Sequence, residues 1–189
     1  MKKSLLSTTL ALALSMGYIA IANASGSGTI TFNGELTDTT CDVTVNGEAA
    51  DATVKLPTVG VSQLNADGAI TGRERFNMEL TNCAVVTEGG KNQVSVFFQQ
   101  GATVDSKGHL INTLTDATAA TLVDLQLLDA SNNYLPINAG DASQTTTTAY
   151  APIPDGGSLT LPYAVQYYAN GQATPGLFSS SVMYNLQYQ

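Results

Sequence analysis

The chain has no tryptophan, one histidine, two cysteines and only seven lysine or arginine residues among 189. Each shortage excludes something. The single histidine, His109, sits beside Gly108 in a turn-like stretch with no cysteine or second histidine near it, so no metal site is expected and the residue reads as a loop histidine. A serine triad would have to use that same residue as its base, and no Gly-x-Ser-x-Gly elbow occurs. Carboxylate pairs such as Asp38 and Asp42, or Asp124 and Asp129, read as solvated surface groups in an acidic chain, so no catalytic residue is assigned. Ser25-Gly26-Ser27-Gly28 has glycines but neither the lysine of a phosphate loop nor a helix after it, and reads as a flexible lead-in.

Long apolar runs are also scarce. The one run, Leu5 to Ala22, follows Lys2 and Lys3 and ends near Ala22-Asn23-Ala24, which is the pattern of a secretory signal over residues 1–24. Ala20-Ile21-Ala22 is a second cleavage site two residues earlier. Cleavage after Ala24 leaves 165 residues, enough for one domain with a real core, and five basic residues against fifteen acidic ones, a net charge of −10. Nucleic acid and anionic membrane surfaces are poor partners for such a chain, and no membrane insertion of the mature chain is expected. Arg73 and Arg75 form the only basic cluster and read as a solvated strand face. In an exported chain the two cysteines, Cys41 and Cys83, read as one disulfide, which by loop entropy stabilises the fold by about 4 kcal/mol.

What is present is short alternating runs bounded by Gly, Asn, Asp and Pro, an all-β pattern of roughly seven to nine strands. Phe76, Met78 and Leu80 alternate with polar residues, as do Val94, Val96 and Phe98. Val123, Leu125 and Leu127 form one strand face, with a return strand through Tyr134 to Ile137. Leu159 to Tyr167 is a long strand whose Pro162 predicts an edge position or a bulge. Val182, Tyr184, Leu186 and Tyr188 end the chain. An immunoglobulin-like sandwich is the expected architecture. Asp141 to Thr148, rich in Ser and Thr, reads as a surface loop, and the tyrosines at 163, 167, 168, 184 and 188 as core and inter-sheet packing.

The stretch Gly28 to Leu36 reads as a strand with Ile30, Phe32 and Leu36 on its apolar face. Gly34 interrupts that face. Glycine weakens a strand, so its place there points to another backbone passing close by.

In order along the chain, this N-terminal strand leading into Cys41, the segment Phe76-Asn77-Met78-Glu79-Leu80-Thr81-Asn82-Cys83, Gly176 fourteenth from the end, and the alternating Val182, Tyr184, Leu186 and penultimate Tyr188 resemble the structural pilins of chaperone-usher fimbriae, subunits of type 1 fimbriae in particular. Pro57 departs from the pattern, since relatives often have glycine after the leucine. The resemblance implies an incomplete sandwich lacking its last strand, with residues 25–36 as a donor-strand extension and 37–189 as the pilin domain. It implies that Ile30, Phe32, Gly34 and Leu36 fill a neighbour's groove. Val182, Tyr184, Leu186 and Tyr188 would belong to the groove strand, which a periplasmic chaperone contacts before an outer-membrane usher exchanges it for the next subunit's strand. The expected function is a structural subunit of an adhesive surface fimbria, exported through the periplasm to the cell surface, with no cofactor. The competing reading is a monomeric secreted carbohydrate-binding β-sandwich, with tyrosines as the sugar platform.

Overall fold

The alternation in Phe76, Met78 and Leu80 puts three apolar side chains on one side of a fifteen-residue strand, and all three are buried. In a computed structural model describing residues 29–37, 39–84, 91–144 and 150–189, this strand anchors the larger of two antiparallel sheets. The strands are β1 (Thr40–Val45), β2 (Ile70–Ala84), β3 (Gln93–Phe98), β4 (Leu110–Ile111), β5 (Val123–Asp129), β6 (Leu135–Ile137), β7 (Ala151–Pro152), β8 (Leu159–Ala169) and β9 (Tyr184–Tyr188). The larger sheet runs β1-β2-β8-β5-β4, with β6 also on β5, and the smaller runs β7-β3-β9. The signal segment 1–24, Gly28, Asp38 and residues 145–148 of the Ser/Thr-rich stretch lie outside the described residues.

The core lies between the two sheets. Val45, Phe76, Met78, Leu80, Leu125, Leu127, Leu161, Tyr163 and Val165 come from the larger one and Val94, Val96 and Phe98 from the smaller. The Phe98 ring meets the Tyr163 ring edge-on at 5.3 Å, a contact that joins the sheets through a favoured aromatic geometry. The disulfide forms as expected, joining Cys41 of β1 to Cys83 of β2.

Two expectations need correction. Pro162 lies on neither an edge nor a bulge: β8 is flanked by β2 and β5, and Pro162 pairs with Asn77. It is tolerated because the β5 ladder ends at Asp129–Tyr163, so the missing N–H faces the turn, while the Pro162 carbonyl still accepts from Ala130 N–H at 3.2 Å. Asp124 and Asp129 are not solvated but 7% and 2% exposed, because β5 is buried on both faces. His109 lies in a loop as expected, just before β4, and is buried there at 5% exposure. Its ring lies 4.5 Å from that of Tyr168, which roofs the outer face of the larger sheet.

The expected N-terminal strand does not form. Thr29 to Thr37 carry no strand, and Ile30, Phe32 and Leu36 are 78%, 87% and 100% exposed. An extended segment gains stability only through a ladder and a covered apolar face, so a strand-forming sequence by itself does not hold strand geometry.

Candidate functional site

Two extended segments with no common partner define the site. The first is 52–59. Val54, Leu56 and Val59 are half-buried while Thr53, Lys55, Pro57 and Thr58 are exposed, so the apolar side chains face the core as in a strand. Yet no main-chain hydrogen bond is made by residues 52–59 among the described residues. Lys55 and Pro57 on such an open run are the residues that discourage unwanted edge pairing.

The second is 178–188. Phe178, Ser180, Val182, Tyr184, Leu186 and Tyr188 are half-buried, and the odd-numbered residues between them are exposed up to Asn185, so the period-two pattern extends six residues before β9 begins. Gln189 and Gln93 exchange both main-chain bonds at 3.0 Å, and Gln99 N–H donates to the Met183 carbonyl at 2.8 Å. The odd-numbered residues from 183 on therefore spend their main-chain groups on the β3 side, while the Ser179 and Ser181 carbonyls accept from Thr113 N–H and Thr103 Oγ1. Alternation in an antiparallel ladder turns the groups of residues 178, 180, 182, 184, 186 and 188 the other way, toward an edge with no strand on it.

Between the two edges lies an apolar groove. One part, of about 480 Å³, is floored by Phe76, Met78, Phe98, Leu125, Leu127 and Val165 and walled by Val54, Leu56, Val182 and Tyr184. Its continuation, of about 780 Å³, runs past Tyr167 and Phe178 to Gly176. The other end is pinched: the Tyr188 hydroxyl accepts from Cys41 N–H at 3.1 Å, and the Tyr184 hydroxyl donates to the Ala50 carbonyl at 3.0 Å. Of the four expected groove-strand residues, Val182 and Tyr184 line the open part, whereas Leu186 and Tyr188 pack on the core and close the narrow end. Burial raises the phenol pKa of both Tyr184 and Tyr188, so both stay neutral donors and acceptors here.

Gly176 has a mechanical reason. A Cβ there would stand 2.3 Å from Ala120 N and 2.5 Å from Ala119 C. The same close approach lets Leu177 N–H donate to the Thr118 carbonyl at 2.7 Å and Ala120 N–H to the Leu177 carbonyl at 2.9 Å, fixing the groove's far end. Gly72 was not expected from the sequence. It has φ +62°, and a side chain there would strike Tyr167 and Val59 at 2.8 Å, two groove residues. It lies upstream of the strand expected around Phe76 to Leu80, in the part of β2 that alternation did not show, and the register of β2 on β8 shifts there, between Thr71 and Glu74.

The arginine pair does not join this site. Arg73 and Arg75 are exposed and stack over Tyr134, at 4.2 and 5.1 Å from its ring centre. Of the tyrosines 163, 167, 168, 184 and 188, the first is buried and the other four are half-buried, and Tyr163, Tyr167, Tyr184 and Tyr188 pack on the core, as expected. No helix among the described residues is long and apolar enough to cross a membrane.

The model for the FimA family, described as type-1 fimbrial protein, A, matches residues 56–189. The major fimbrial subunit SMF-1 of Stenotrophomonas maltophilia (strain K279a) is 42% identical over 169 residues, covering 88% of this chain and 95% of its own. The F17 fimbrial protein of Escherichia coli is 36% identical over 179 residues, covering 92% and 96%. Among solved structures, the P pilus rod subunit PapA superposes with a TM-score of 0.57 at 21% identity, covering 79% of this chain and 99% of that one. A subunit from a chaperone-usher pilus superposes at 0.58 and 21%, covering 87% and 97%. The all-β sandwich, the disulfide and these relatives give one conclusion: the chain belongs to the type-1 fimbrial protein family and is a structural subunit of a surface fimbria.

Proposed function

We propose that the groove between residues 52–59 and 178–188 is the receptor for a donor strand, and that residues 25–36 of a second copy of this chain, or of a related subunit, supply it. The observation that carries the reading is the pair of unpartnered backbone edges facing an apolar floor. A strand laid between them would satisfy main-chain groups and cover the floor in one step, which is β-strand addition. In the donor, Ile30, Phe32 and Leu36 are the groove-filling side chains, and Gly34 stands where the groove admits only backbone. Three such side chains contribute about 1.5 to 3 kcal/mol each on burial, and the ladder adds register. No cofactor enters this reaction.

Until the donor arrives, the same groove is an aggregation hazard, since it combines an open edge with apolar surface. A periplasmic chaperone that lends a strand to the 178–188 edge, and an outer-membrane usher at which that strand is exchanged, answer this hazard. Adhesion is then a property of the assembled fimbria, and the chain has no enzymatic role in it.

The test is direct. The domain lacking residues 25–36 is mixed with a peptide spanning Ser25 to Leu36, and its melting temperature is followed. A saturable rise is expected. A peptide that leaves the melting temperature unchanged, with the domain shown to be folded, rejects the donor-strand assignment.

A further inference from the structure

Remote from the groove edges, the outer face of the larger sheet buries a charged cluster that assembly does not use. One carboxylate oxygen of Asp105, one of Asp124 and a ring nitrogen of His109 all lie within 4.8 Å of one another. Asp124 is 7% and His109 5% exposed, and Asp105 is half-buried. Two negative charges are thus held together, and no ion pair to Lys or Arg neutralises either carboxylate among the described residues. Asn170 donates to Asp124, and the Lys107 and His109 N–H groups donate to Asp105 Oδ1 at 2.8 Å each, but these are neutral donors.

His109 supplies the second, independent observation. Its Nδ1 is buried and has no hydrogen-bond partner. Its Nε2 is committed elsewhere, 3.3 Å from Gln126 Nε2. The direction of that contact is fixed from afar. Arg73, which can only donate, gives Nε and Nη2 to Gln166 Oε1 at 3.1 and 2.9 Å, and Gln166 Nε2 donates to Gln126 Oε1 at 2.9 Å. Gln126 therefore presents its NH₂ to His109, Nε2 accepts, and Nδ1 is the ring nitrogen left without a partner. A buried nitrogen without a partner next to two uncompensated carboxylates is costly to keep for packing alone.

We propose that Asp105, His109 Nδ1 and Asp124 form a binding site for one divalent cation, of which zinc is the best match. A cation neutralises both carboxylates and gives Nδ1 its missing partner. One imidazole with two carboxylates favours a borderline ion such as zinc over calcium or magnesium, which take oxygen alone. Bonds of about 2.0 to 2.2 Å bring zinc ligands to about 3.4 Å from one another, so small side-chain rotations close the site, and Asp105 leaves room for a water as fourth ligand. When zinc takes Nδ1, the ring proton moves to Nε2, and the Gln126 amide turns over to accept it. That turn costs the Gln166–Gln126 bond.

The site would tie the loop carrying Asp105 and His109 to β5. The same stretch of chain backs the groove strand, through Thr103 Oγ1 to the Ser181 carbonyl at 2.6 Å and Thr113 N–H to the Ser179 carbonyl at 2.8 Å. Bound zinc thus stiffens one wall of the groove.

The experiment is zinc titration into the tag-free, disulfide-bonded mature chain, by calorimetry and by melting temperature, with cobalt absorption as the spectroscopic signature of a nitrogen-containing site. One zinc per chain, a melting temperature that rises with added zinc, and a cobalt band lost in Asp105→Asn are expected. Asp105→Asn keeps the oxygen that accepts from Lys107 and His109, so the loop survives. Gln126→Glu is expected to tighten zinc binding about tenfold, because a carboxylate accepts from both Nε2–H and Gln166 without turning over. No heat and no thermal shift in the wild type overturns the proposal, as does zinc binding undiminished in Asp105→Asn. Donor-strand assembly stands or falls separately, since its peptide test runs in a metal chelator.

Discussion

At the residue scale, Gly176 and Tyr163 show how differently two sites can be constrained. Gly176 is required by space: any Cβ meets the backbone of residues 118–120, which cannot rotate away as a side chain would. Gly176→Ala is expected to cost about 1 to 3 kcal/mol, seen as a lower urea midpoint at unchanged slope. Tyr163 is constrained by solvation. Burial first, and then the charge of Asp129, raise its phenol pKa far above the ordinary value, against a smaller opposing effect of a hydrogen bond from Val96. Because the folded pKa lies above the unfolded one, the neutral phenol's contribution is intact below about pH 10 and is lost as pH rises beyond it. Tyr163→Phe is therefore expected to lose less melting temperature than the wild type between pH 8 and pH 11, with the melts recorded by circular dichroism.

The element scale belongs to the N-terminal segment and the groove strand. Around Gly34 nothing lies within 4 Å of an added Cβ, so a larger side chain leaves the subunit's own fold alone. If a neighbour's groove admits only backbone at that point, Gly34→Leu blocks polymerisation while the subunit still folds with its chaperone. Electron microscopy of the mutant decides this, and fibres of normal length and number count against the assignment. Alternation made residues 28–36 readable as a strand and 182–188 as another. It did not show that the second runs on from Phe178, because Ser179-Ser180-Ser181 hides the period behind small polar residues. Nor did it show 52–59 as an edge, since that run has no ladder among the described residues to reward its strand-like pattern.

For the whole molecule, the proposed donor and groove are different surfaces, so on that reading their association repeats head to tail and does not close. A chain lacking residues 25–36 has a groove to be filled and no strand to give. Co-expressed with the wild type, it is expected to terminate growth, with mean fibre length falling as its share rises. Fibre length independent of that share would show that subunits associate through some other pair of surfaces.

The sequence by itself determined the fold class, the disulfide, most strand positions and the family, because these rest on local periodicity, composition and motif order. His109 marks its limit. Read along the chain it has no cysteine or second histidine near it, yet β5 carries Asp124 to it and the loop carries Asp105, while an amide relay from Arg73 fixes its proton. Only the tertiary structure decided that cluster, the burial of Asp124 and Asp129, the central place of Pro162 and the two open edges of the groove. The physical reason is the same in each case: burial and hydrogen-bond satisfaction are properties of what the rest of the chain brings near, and a residue's own neighbours in sequence do not record it.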